Sequence, residues 1–90
     1  MNEEKFNDLR KKLDETQSYP SVYMFKFIMD ASNRKIALVE NLFSENAEIY
    51  TKESDKGKYI SITITEVMMS TEEIIGIYSK AAEIEGVMLL

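Results

Sequence analysis

The stretch SDKGKYISITITEVMMSTEE, from Ser54 to Glu73, decides how the rest of the chain is read. From Lys58 to Glu66 apolar and polar residues alternate: Ile60, Ile62 and Ile64 face one way, and Tyr59, Ser61, Thr63 and Thr65 the other. That is the period of a half-buried β-strand, whose successive side chains leave opposite faces of the pleat. Before it, Ser54-Asp55-Lys56-Gly57 has the turn residues and late glycine of a short hairpin loop, which makes Ala47 to Glu53 an antiparallel partner strand. After it, Ser70-Thr71-Glu72-Glu73 is a capping box, in which serine and the glutamate three residues on satisfy the free amides of a helix start. The helix it opens carries Ile74, Ile77, Tyr78, Ala81 and Ile84 at helical spacing.

Towards the N-terminus, Asp30-Ala31-Ser32-Asn33 opens a helix expected to run to about Phe43, with Ile36, Val39, Leu42 and Phe43 as its buried face. Ser21 to Met29 is apolar on both faces, the mark of a central strand. Tyr23, Phe25, Phe27 and Met29 share one face; Val22, Met24, Lys26 and Ile28 share the other. Pro20 separates this strand from a first helix, expected over Glu3 to Glu15, with the stripe Phe6, Leu9 and Leu13. Asn2 is its expected cap, Glu3 and Glu4 suit its positive end, and Arg10-Lys11-Lys12 its negative end. At the other terminus Gly86 ends the last helix, and Val87-Met88-Leu89-Leu90 is a short final strand. Right-handed crossovers place the first and third strands in the middle of the sheet. The expectation is an α+β, ferredoxin-like βαββαβ two-layer sandwich with an antiparallel sheet of order 4-1-3-2, preceded by an N-terminal helix. The 90 residues are expected to form one domain, with 1–18 as helix and connection and 19–90 as core.

Several of these segments carry a family resemblance. Tyr19-Pro20-Ser21, the run Tyr23-Met24-Phe25-Lys26-Phe27, and Ser54-Asp55-Lys56-Gly57-Lys58-Tyr59-Ile60-Ser61-Ile62 with Thr63-Ile64 resemble the YbeD-like family. Ile77-Tyr78 and the ending Ile84-Glu85-Gly86-Val87 also match. The resemblance spans nearly all of Tyr19 to Leu90, and the pattern S-x-K-G-x-Y-x-S is its most specific part. It implies a ferredoxin-like fold similar to ACT regulatory domains and a suggested link to lipoate metabolism, without an established activity. Ile60 and the N-terminal helix depart from the family pattern.

Composition narrows the chemistry. There is no histidine and no cysteine, so imidazole and thiolate nucleophile chemistry, disulfides and the usual zinc sites are excluded. Glu72 and Glu73 could pair, but a first helical turn already favours acid there. Glu40, Glu45 and Glu48 lack the spacing of a calcium loop, and Gly57, Gly76 and Gly86 form no phosphate loop. No catalytic residue, metal or cofactor is expected. The net charge of −5 opposes binding to nucleic acid or anionic membrane. No apolar run approaches the roughly 20 residues of a membrane span, and Met1-Asn2-Glu3-Glu4 is too acidic for a signal peptide. A cytoplasmic protein is expected. RNA-recognition domains share the βαββαβ order, but their base-stacking aromatics would fall here at Lys58 and Ile60, with Tyr59 out of phase.

An RNA-binding ferredoxin-like domain is thus the least favoured reading of function, and two others stand ahead of it. One is a non-enzymatic regulatory or interaction module, partnered by a second copy through a sheet edge or open face, or by another protein. The other is a binder of a small anionic metabolite on the open face. There Lys26, Tyr59 and Ser61 combine a cation with hydroxyls, and the turn residues Ser54, Lys56 and Gly57 offer backbone amides to an anion. A solvated face with a guarding lysine is the more ordinary account of the first group, and turn geometry of the second. The same face carries Val22, Met24 and Ile28, an apolar patch that the N-terminal helix or a second copy could cover.

Overall fold

In the computed structural model, which describes residues 6–90, the alternating stretch is a ten-residue strand, Tyr59–Met68, two residues longer at its end than expected. The elements run α1 (Asn7–Thr16), β1 (Ser21–Asp30), α2 (Asn33–Glu40), β2 (Glu48–Glu53), β3 (Tyr59–Met68), α3 (Thr71–Ala82) and β4 (Met88–Leu89). The sheet order is β2-β3-β1-β4, all neighbours antiparallel, which is the expected ferredoxin-like arrangement. The central strands β1 and β3 pair from Ser21↔Met68 to Asp30↔Tyr59. That register sets Phe25 against Ile64 and Phe27 against Ile62, and all four are fully buried.

The helices cover this apolar face. Phe25 lies at the centre, its ring 4.8 Å from Tyr23, 5.0 Å from Phe43 and 5.3 Å from Tyr78. Ser70 caps α3 by accepting from the Glu73 amide at 3.1 Å, while the Glu73 carboxylate accepts from the Met69 amide rather than that of Ser70. Ser32 caps α2 in the same way through the Lys35 amide. α2 ends at Glu40, earlier than expected, because Leu42 and Phe43 donate to the carbonyls of Val39 and Glu40. These tighter bonds turn the chain and bring the Phe43 ring onto Phe25.

α1 answers where the first helix sits: it joins the helical layer and leaves the open face bare. Phe6 and Leu13 are buried, Phe6 stacks 6.4 Å from Tyr78, and Arg10 pairs with Glu72 at 2.6 Å. The helix runs to Thr16, so Arg10-Lys11-Lys12 fall in its middle, and its last turn holds no basic residue. The expected cap Asn2 and the acids Glu3 and Glu4 lie outside the described residues. The following connection is tied to α3 by a 2.8 Å hydrogen bond between the Tyr19 and Thr71 hydroxyls. Deeper in, the hydroxyls of Tyr23 and Tyr78 lie 3.2 Å apart. Burial and this bond push the Tyr78 hydroxyl well above the usual tyrosine range.

At the far end of β1, Asp30 accepts from Lys35 of α2 at 2.6 Å, against Gly86 of the turn before β4. Gly86 has φ +83, and a Cβ there would lie 2.8 Å from the Lys35 ammonium. Lys35 can swing aside, so the larger cost of Gly86→Ala is the left-handed backbone, about 1–2 kcal/mol. Urea unfolding should show that loss. The Lys35 hydrogen bond also holds the Asp30 carboxyl below the usual aspartate range. A carboxylate depressed in the folded state stabilises above its unfolded value, and that contribution is lost as pH falls through the folded value. An NMR titration should place the Asp30 midpoint below that of ordinary aspartate, and Lys35→Met should return it.

Candidate functional site

The face opposite the helices is open, and the strand register lays its side chains out in rows. Lys26, Thr63 and Tyr50 form one row across β1, β3 and β2. Ile28, Ser61 and Lys52 form the next, extended by Met88 of β4, and Met24, Thr65 and Glu48 lie on the other side. Val22 and Met24 are 65% and 63% exposed, and Tyr50, Met88 and Leu90 are exposed nearly as far. Lys26 is exposed in the middle of this surface, with no ion pair to any described residue.

The candidate residues separate into groups. Ser61 is one row from Lys26, while Tyr59 lies opposite Asp30, about 13 Å along the strand from the Lys26 row. Tyr59, Ser61 and Ser54 gather instead around a shallow depression of about 210 Å³, together with Ile28, Lys52, Glu53 and Ile60. Lys26, Lys56 and Gly57 do not line it. Four amides at this turn, those of Ser54, Gly57, Lys58 and Tyr59, are spent within the hairpin. Gly57 donates to the Ser54 carbonyl at 2.8 Å, and the amides of Lys58 and Tyr59 reach the Ser54 hydroxyl at 3.2 and 3.1 Å. Ser54 thus closes the turn, and Gly57 fits it with φ +65. The exposed aromatics Tyr59 and Tyr50 are also about 13 Å apart along the sheet, too far to stack neighbouring bases.

Sequence reasoning missed Lys52 and Tyr50. Their signal was available: the Ser54–Gly57 turn fixes the hairpin register, and that register puts both on the face of Ser61 and Thr63.

On the helical side a groove of about 490 Å³ between the end of α2 and α3 gathers Glu66, Glu72, Glu73 and Lys80. Its carboxylates are occupied. Glu72 holds Arg10, Glu73 takes the Met69 amide, and Glu66 accepts from both the amide and the hydroxyl of Ser44. Among the described residues no cluster of acidic side chains could hold a metal ion, and no buried side-chain nitrogen or oxygen lacks a partner. No helix among them is long and apolar enough to cross a membrane.

Comparison with known proteins places this fold among relatives. The family described as protein of unknown function (DUF493) matches residues 14–90. UPF0250 proteins of Shewanella piezotolerans and Shewanella halifaxensis are each 39% identical over 83 residues, covering 88% of this chain and 94% of the relative. One from Shewanella putrefaciens is 36% identical over the same length. Their names carry no enzymatic activity. The match begins inside α1 and takes in the whole βαββαβ core with its Ser54–Gly57 hairpin. The chain therefore belongs to the DUF493 family of proteins of unknown function, the YbeD-like family whose hairpin-and-strand pattern it carries.

Proposed function

We propose that this chain is a non-enzymatic interaction module, of the regulatory kind that similarity to ACT-like domains implies, and that its partner is a second copy bound through the sheet. One observation carries this. Of the ten large hydrophobic residues exposed among the described residues, all but Leu38 and Met69 lie on the open face or on β2. A small domain has little apolar surface to spare, and apolar residues gathered on one side of the sheet mark an interaction site. Charge favours the same region. Two copies at −5 each repel at a distance, so contact belongs where charge balances locally. The open face carries Lys26 and Lys52 against Glu48, and its Asp30 is already paired with Lys35. Light scattering on concentrated protein should return about twice the 10.4 kDa chain mass. A strict monomer up to the solubility limit would refute self-association.

The depression beside the hairpin supports a second reading, a binder of a small anionic metabolite, because Lys52 and the hydroxyls of Tyr59 and Ser61 meet there. A ligand at about 100 times its Kd should stabilise the fold by roughly 2.7 kcal/mol. A thermal-shift screen of amino acids, lipoate and short carboxylic acids should then give a hit that Lys52→Ala removes and that Lys26→Ala, outside the depression, leaves in place. A flat screen, or a hit indifferent to Lys52→Ala, ends that reading.

A further inference from the structure

β2 is the edge of the sheet, and all six of its residues, Glu48 to Glu53, are exposed. Its backbone faces are distinguishable. The Ser54 amide donates to the Tyr59 carbonyl, and the Ser61 hydroxyl reaches the Lys52 carbonyl, so even-numbered residues of β2 turn their backbone groups towards β3. Alternation then turns the amides and carbonyls of Ile49, Thr51 and Glu53 to the free edge. Such an edge is a template for another strand, and natural sheets usually shorten, bulge or cover it.

The side chains of this edge are self-complementary in one register. Antiparallel pairing of two copies about a two-fold axis normal to the sheet keeps both open faces on the same side. Only residues of equal parity can then stand opposite each other. With Tyr50 on the axis, Glu48 stands opposite the second copy's Lys52, Lys52 opposite its Glu48, and Ile49 opposite its Thr51. Both ion pairs lie on the open face with the Tyr50 pair between them, while Ile49 and Thr51 exchange the free backbone hydrogen bonds. Moving the axis to Ile49 sets Glu48 against Tyr50, and moving it to Thr51 sets Ile49 against Glu53. One residue further either way, Lys52 meets Lys52 or Glu48 meets Glu48. We infer that two copies of this chain pair through β2, with Tyr50 on the two-fold axis and reciprocal Glu48–Lys52 ion pairs, joining two four-stranded sheets into one. This rests on the self-association proposed above and specifies its contact.

The absence of cysteine makes the inference directly testable. In a non-hydrogen-bonded antiparallel pair the Cα atoms are about 4.5 Å apart, within disulfide range. Tyr50→Cys should therefore give a disulfide-linked dimer under mild oxidation. Ile49→Cys and Thr51→Cys, offset from their own copies, should lag it at least about tenfold in rate, since their Cα atoms stand more than about 7 Å apart. Mixed Glu48→Cys and Lys52→Cys chains should cross-link where neither does alone. Lys52→Glu should weaken the dimer by about tenfold, and adding Glu48→Lys to the same chain should restore it. Fast cross-linking of Ile49→Cys or Thr51→Cys, or no rescue by the charge swap, overturns the register. If Met24→Cys on the open face cross-links and Tyr50→Cys does not, the edge contact is overturned while self-association stands. A monomer with no cross-link from any variant overturns both.

Discussion

The antiparallel pairing of β1 with β3 is the constraint on which the rest of this molecule depends. It runs the full length of both strands and opposes Phe25 to Ile64, Phe27 to Ile62 and Met29 to Ile60. Because side chains alternate strictly, a slip of one residue would send these rings into water and Lys26 into the core. The register is therefore held by burial as much as by hydrogen bonds. Once it is set, the helices can lie on only one face, and the hydroxyl-rich opposite face is left open. The Ser54–Gly57 hairpin then hangs β2 on the β3 edge in a fixed phase.

Most of this was legible in the residues. Period two from Tyr59 to Thr65, apolar residues on both faces of Ser21–Met29, and the capping box at Ser70 each have a direct physical cause, and together they give the order of strands. Helix ends were less legible. α2 stops at Glu40 although Leu42 and Phe43 continue its apolar face, and the tightened turn that follows sets the Phe43 ring on Phe25. The destination of α1 was not legible. Its stripe announces that it must dock, but a stripe fits any apolar surface. The partners Tyr78 and Glu72 are distant in sequence and became neighbours only through the fold.

The surface divides in the same way. Alternation places Lys26, Tyr59 and Ser61 on one face, yet parity says nothing of distance along a strand. Only the pairing shows that Lys26 and Tyr59 are two rows apart. Ser54 looked like an anion-binding turn residue because the chemistry of closing a loop and of cradling an anion is the same: a set of amides seeking oxygen. Here the serine supplies the oxygen itself. Several glutamates likewise serve as caps and tethers, which is the ordinary use of carboxylates at helix starts and loop ends.

The contact between Tyr23 and Tyr78 gives this fold an internal gauge. The chain has five tyrosines, four weakly absorbing phenylalanines and no tryptophan, so phenols dominate its near-ultraviolet absorbance. Tyr78 sits where Phe6 of α1, Phe25 of β1 and its own helix α3 meet. A phenol held neutral by burial stabilises the fold below the ordinary tyrosine range, and that contribution is lost only as pH rises through its raised value. The packing around it therefore opposes its ionisation, and whatever loosens that packing makes the phenol easier to ionise. The chain thus carries a label-free reporter of its core in one of its own side chains.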